Sequence, residues 1–175
     1  MSPPAEYSIW LVPEPATEKH LTLTVALLSA ELGGEAFAPH VTVQGDLALD
    51  LKPLSVAVGA LADRIPVQTW RVAQVEGSAH PFRCLYLRFG SSPGFDTLQS
   101  AAQATAGTPE GLSPYPHLSL VYGHQGADHL SRHAGLTREF VGQQMVFDRL
   151  VISNSSKSVP VPEWRHLAEY PLRGR

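Results

Sequence analysis

One short pattern occurs twice in this chain, and each copy dictates a strand. Ala38-Pro39-His40-Val41-Thr42-Val43-Gln44-Gly45 returns as Tyr115-Pro116-His117-Leu118-Ser119-Leu120-Val121-Tyr122-Gly123. Both run proline, histidine, aliphatic, hydroxyl, aliphatic and, soon after, glycine. Successive side chains of a strand alternate faces, so the histidine and the hydroxyl two positions on share one face about 7 Å apart. Val41 and Val43, or Leu118 and Leu120, then face a core. The proline starts each strand extended, where no ladder hydrogen bond is lost.

The His-x-Ser/Thr pattern alone is cheap, since eight histidines give about one chance match and the chain holds four. His20-Leu21-Thr22 and His129-Leu130-Ser131 fall in stretches that read as helix, where positions i and i+2 do not face each other. They read as surface or capping residues. His40 and His117 differ in having the preceding proline, the alternating strand, the trailing glycine and one copy per half.

Around these copies the chain repeats an order of elements. Tyr7 to Val12 alternates as a first strand, and Thr17 offers an N-cap to a helix through Leu32 that stops at Gly33-Gly34, with Leu21, Val25, Leu28 and Leu32 on one face. The first motif strand runs from Pro39 to about Leu47. A helix over Leu54–Arg64 follows, then strands over Val67–Val75 and Phe82–Phe89. The second half opens with a helix over Phe95–Thr105 and a glycine-rich loop at 107–111 before the second motif strand. Ala127–His133 and Leu136–Val141 read as short helices, Met145–Ser153 and His166–Leu172 as strands, with a polar loop at 154–158. This pattern predicts one bilobal α+β domain over residues 1–175, with two mainly antiparallel sheets facing a central cleft and helices outside. The two motif strands would line the cleft.

Composition narrows the partners. The 175 residues carry a formal charge of −3 with pI near 6.2, whereas long nucleic acids are held by a basic face that neutralises many phosphates. A ligand with one or a few phosphates suits the chain better, and ten arginines against three lysines supply planar phosphate donors. The start is too short and polar for a signal peptide, and no apolar run is long enough to span a bilayer, so a cytoplasmic, soluble monomer is expected. The single cysteine, Cys84, sits in the apolar run Phe82-Arg83-Cys84-Leu85-Tyr86-Leu87 and reads as a buried thiol.

Two histidines and two hydroxyls in one cleft suit displacement at phosphorus. One neutral imidazole takes a proton from water while the other, protonated, gives one to the departing oxygen, each transfer being worth about 10² to 10⁴ in rate. The Thr42 and Ser119 hydroxyls can donate to phosphoryl oxygens where charge gathers. Attack and departure lie on opposite sides of phosphorus, which explains one copy per lobe. No metal or other cofactor is then needed.

Pro39-His40-Val41-Thr42 and Pro116-His117-Leu118-Ser119 resemble the paired motifs of the two-histidine phosphoesterase superfamily. With Tyr7-Ser8-Ile9-Trp10, Cys84-Leu85-Tyr86-Leu87 and the stretch through Tyr122-Gly123, the likeness is to its plant and fungal cyclic nucleotide phosphodiesterases. The resemblance implies metal-independent opening of cyclic phosphates: 2′,3′-cyclic nucleotides to 2′-phosphates, and ADP-ribose 1″,2″-cyclic phosphate to ADP-ribose 1″-phosphate. It implies that His117 activates water, that His40 protonates the leaving oxygen, that Tyr122 lies near the phosphate and that Trp10 lies near the base. The extra cysteines of the plant members are missing, which removes a disulfide and none of the chemistry.

Alternatives stay open at several residues. Strict alternation puts Tyr122 on the apolar face, and a bend or bulge near the strand end would turn it inward. Trp10 divides between core residue and stacking platform. Phe82, Arg83 and Tyr86 are further candidates for the cleft wall. A metal hydrolase would want clustered His and carboxylate ligands, but only Asp46 lies near a motif strand. A binding module without chemistry, and a substrate that is an RNA end instead of a free nucleotide, are the remaining competitors.

Overall fold

The structure is a computed structural model that describes residues 5–123 and 138–173. Its strands are β1 (Tyr7–Pro13), β2 (Val41–Leu47), β3 (Gln68–Gly77), β4 (Leu85–Phe89), β5 (His117–Val121), β6 (Gln144–Ser153) and β7 (His166–Pro171). The helices are α1 (Pro15–Leu32), α2 (Leu51–Ala62) and α3 (Pro93–Ala106), and short 3₁₀ turns occupy Pro81–Arg83 and Val161–Glu163. The expected helix at Ala127–His133, with the His129 match, and the start of the one at Leu136–Val141 lie outside the described residues. Among the described residues no helix is long and apolar enough to cross a membrane.

All strand pairings are antiparallel, in the order β2-β1-β6-β3-β4-β5. The fold is thus the expected α+β type. Its two sheets share β3, which pairs with β6 through Gln68–Arg71 and with β4 from Val72 to Gly77. β7 lies along β6 beyond the reach of β3. The motif strands β2 and β5 therefore sit at opposite ends of one path.

The alternation read from the sequence fixes which face is buried. Ile9, Leu11, Val41, Val43, Leu87, Leu118 and Leu120 are all fully buried with Leu21, Val25 and Leu28 of α1, each such side chain contributing about 1.5–3 kcal/mol. The helices cross between halves: α1 packs on β5 and α3 on β2. The start of α1 differs from expectation. Pro15, with φ already suited to a helix, takes the first turn, Glu14 is the capping position, and Thr17 donates to the Glu14 carboxylate at 3.3 Å. At the other end Gly33 adopts φ 72°, the left-handed turn that ends a helix as the glycine pair predicts.

The outer edge of β2 would expose unpaired backbone groups, and the loop before β5 covers it. Gly45 N–H donates to Gly111 O at 2.8 Å, Ser113 N–H to Val43 O at 3.3 Å, and the Ser113 hydroxyl to Thr42 O at 2.5 Å. The buried Gln44 amide donates to Thr108 O and Glu110 O at 2.8 and 2.7 Å. These bonds bring the second half against the first motif strand. Gly111 has φ +74°, and a Cβ there would lie 1.8 Å from Gly45 O. Gly111→Ala should therefore cost about 2 kcal/mol or more, lowering Tm by about 4–8 °C. Gly107→Ala, at φ +72° with nothing within 4 Å, isolates the backbone strain and should cost about half as much in the same calorimetric scan.

Candidate active site

His40 immediately precedes β2 and His117 begins β5, and both are buried, at 4% and 9% exposure. Each ring is held by the same local bond. His40 Nδ1 lies 2.7 Å from Ala38 O and His117 Nδ1 lies 2.9 Å from Tyr115 O, the carbonyl two residues back. A carbonyl only accepts, so in each ring Nδ1 carries the proton and Nε2 is left for chemistry. The proline between carbonyl and histidine helps to set that geometry, because the residue before proline is confined to extended backbone.

Both rings line one cavity of about 250 Å³ with Thr42, Ser119, Tyr122 and Trp10. All six residues singled out from the sequence are therefore brought together. Thr42 stands opposite Trp10 across the β1–β2 ladder. The Ser119 hydroxyl donates to Phe82 O at 2.8 Å, so its proton is already engaged. Tyr122 reaches the cavity through a β-bulge: Tyr86 pairs with Ser119 but its neighbour Leu85 pairs with Val121, so one step on β4 spans two on β5. Val121 turns into the core and Tyr122 into the cleft, its hydroxyl 3.5 Å from His40 Nε2 and its ring stacked on Phe37 at 3.9 Å. Of the two orientations open for Tyr122 in the sequence, the structure selects the inward one.

Trp10 is both buried and stacked, and what it stacks on is His40. The rings are parallel within 7° at 3.6 Å, and Trp10 is 2% exposed. It backs the histidine and leaves little surface for a base. Tyr86 and Tyr115 do the corresponding work for His117, with ring contacts at 5.5 and 5.3 Å. Their hydroxyls meet at 2.9 Å, and Tyr86 donates to Glu76 at 2.5 Å. Phe82 and Arg83 line the cavity, whereas Tyr86 stands behind it. Trp164, which sequence reasoning missed, also lines the cavity, 5.7 Å from Tyr122 and 6.3 Å from Phe82. It follows a 3₁₀ turn in a proline-rich stretch, where no periodicity marks a side chain's direction.

Burial decides the charge of the pair. Desolvation lowers His40 from its ordinary 6.5 to about 3, against the opposing Ala38 bond and helped by His166 and His117. His117 is lowered too, first by burial and then by the Arg83, His80 and Arg88 charges, against the Tyr115 bond. Both are therefore neutral at pH 7. Burial also pushes the Tyr122 phenol up, so it stays protonated. Cys84 is buried, as expected of an inert thiol. Among the described residues no group of His, Cys, Asp or Glu could hold a metal ion.

An antiparallel α+β frame presents a His-x-Thr and a His-x-Ser strand to one cleft, as the resemblance read from the sequence implies. No family model matches the chain. Among individual proteins it is 26% identical over 121 residues to a cyclic phosphodiesterase of Arabidopsis thaliana, an overlap of 66% of this chain and 64% of the relative, so the likeness to the plant enzymes is modest. The match spans somewhat less than two thirds of that relative's length. E. coli LigT in its apo form superposes with TM-score 0.62 at 17% identity, covering 98% of this chain and 99% of LigT. The Thermus thermophilus protein TT0787 gives 0.62 at 14%, covering 97% and 98%. At such identities these two likenesses speak for the fold.

The depressed histidines have a consequence for stability. Below pH 6.5 the unfolded chain binds protons that folded His40 and His117 refuse, so stability is complete above that value and falls as pH drops toward the folded values. The slope for one such group is about 1.4 kcal/mol per pH unit. Urea titrations between pH 7 and 4.5 should show His40→Gln losing less stability on acidification than wild type. Parallel curves would mean that His40 is not held neutral.

Proposed function

We propose that this chain is a metal-independent cyclic phosphodiesterase. It would open 2′,3′-cyclic nucleotides to 2′-phosphates, or ADP-ribose 1″,2″-cyclic phosphate to ADP-ribose 1″-phosphate. The observation that carries this reading is the matched pair of Nδ1–carbonyl bonds, which leave two Nε2 atoms for one cavity. The name of the Arabidopsis relative supports the activity. LigT complexed with 3′-AMP, NADP+ and ATP supports a small nucleotide as ligand.

In the proposed reaction His117 Nε2 takes a proton from water, whose oxygen bonds to phosphorus. The ring P–O bond breaks and its oxygen takes the proton from His40 Nε2. His40 must first acquire that proton. The cyclic phosphate brings a negative charge, which favours the imidazolium as an opposite charge does at any titrating group. Low intrinsic basicity then makes His40 a strong acid. Thr42 donates to a non-bridging oxygen, and Ser119 does so by exchanging Phe82 O for the phosphate. Trp164, Phe82 and Tyr122 offer apolar ring surface for the nucleoside.

Several measurements test this together. His40→Ala and His117→Ala should each lower kcat/KM by about 10³ or more, and the double variant by far less than the product, as groups acting as a unit do. Thr42→Ala and Ser119→Ala should cost about 10 to 10³. Activity should persist in EDTA, and phosphorus NMR should show the 2′-phosphate from a 2′,3′-cyclic nucleotide. Near-wild-type turnover by a folded His117→Ala variant would refute the mechanism, and metal-restored activity after chelation would replace it. Nucleotide binding with no turnover of any cyclic phosphate would leave a binding module.

A further inference from the structure

The cavity that holds the two motif histidines is also lined by two cations and a further histidine from two separate loops. His80 and Arg83 come from the β3–β4 connection, Lys157 from the polar loop after β6, and all three line the cavity. Arg83 is presented rigidly. Its backbone carbonyl accepts from the Ser78 hydroxyl at 2.6 Å, Pro81 O accepts from Gly123 N–H at 2.9 Å, and Phe82 O accepts from Ser119. Its guanidinium donates to the Tyr115 hydroxyl at 3.4 Å, and no carboxylate among the described residues pairs with it. Nδ1 of His80 accepts the Phe82 N–H at 3.2 Å, so the neutral ring carries its proton on Nε2, as a donor.

We propose that His80, Arg83 and Lys157 form a second anion subsite, which takes a phosphoryl group on the 5′ side of the sugar whose cyclic phosphate lies between the histidines. This rests on the proposed function and narrows its substrate to nucleotides with a second phosphate. Arg83 and Lys157 both line the cavity that holds the histidine pair, and each lowers the basicity of His80 beyond the effect of burial. A cyclic phosphate needs one compensating charge, which the His40 proton supplies. Two further fixed cations exceed that need and match another phosphate.

Lys157 Nζ is 3.3 Å from Asp46 Oδ2, with side chains 77% and 36% exposed. Such a pair is weak, and a phosphate can draw the lysine away. Asp46 also lines the cavity. It therefore competes with the anion, and removing its charge should strengthen the subsite.

The test compares adenosine 2′,3′-cyclic phosphate bearing a 5′-hydroxyl with the same compound bearing a 5′-phosphate. The 5′-phosphate should raise kcat/KM about tenfold or more, chiefly through KM. Arg83→Gln and Lys157→Gln should each shrink that ratio several-fold. Asp46→Asn, which keeps a residue tolerant of φ 52°, should enlarge it, a sign that general damage to the cleft does not produce. A dinucleotide ending in a 2′,3′-cyclic phosphate is the second arm. A gain equal to that of the 5′-phosphate assigns the subsite to an RNA end, and a gain confined to the monoester assigns it to mononucleotides. Equal kcat/KM for all three substrates overturns the subsite and leaves the hydrolase standing. If nothing is turned over, the proposed function fails, and calorimetric binding of adenosine 2′,5′-bisphosphate against adenosine 2′-phosphate still reads the subsite. Equal affinities overturn it there, and tighter binding of the bisphosphate that Lys157→Gln abolishes upholds it.

Discussion

The loop between α3 and β5 lies along the open edge of β2, and the facing arrangement of the two motif strands depends on that contact. Backbone bonds from Gly45 and Ser113, the Gln44 amide and the Ser113 hydroxyl join segments more than 60 residues apart. Without them the sheet path would end in two distant edges, one histidine on each. The close approach of Gly111 to Gly45 leaves no room for a side chain, so the loop meets β2 backbone to backbone there.

Holding two imidazoles in a buried cleft has an electrostatic cost that the site uses. Each ring keeps one fixed hydrogen bond through Nδ1 and is otherwise surrounded by aromatic faces: Trp10, Phe37 and Trp164 around His40, Tyr86 and Tyr115 around His117. These surfaces supply no counter-charge, so the neutral rings are favoured until an anion enters. Binding and protonation are thereby linked. Ring contacts and the Nδ1 bond also restrain both imidazoles.

The two histidines sit in like frames but unlike surroundings. Arg83 and Arg88 are among the charges that lower His117, whereas those that lower His40 are His166 and His117. Arg88 is opposite His117 in the β4–β5 ladder, pairs with Glu76 at 3.3 Å and lies over the Tyr115 ring at 4.2 Å. The Arg83 and Arg88 charges add to burial in lowering His117, the direction that the proposed role of base requires. The asymmetry of charge thus agrees with the asymmetry of roles assigned to the pair.

Much of this was legible in the sequence, because strand periodicity is a local property. Alternation alone placed His40 with Thr42 and His117 with Ser119 on one face and Val41, Val43, Leu118 and Leu120 on the other, and the glycine pair marked the end of α1. Helix starts were less legible: a proline at the first helical position moved α1 and α3 earlier than the hydroxyl and apolar cues did. What a single strand cannot encode is its neighbour. That Trp10 covers His40, that Tyr86 stands behind the cleft wall while Phe82 and Arg83 form it, and that Trp164 joins them were decided by strand pairing and loop docking across the whole chain. Tyr122 shows the division most clearly: its local phase pointed to the core, and only the bulge imposed by pairing β5 with β4 turned it to the cleft, because register is a relation between strands and not a property of either one.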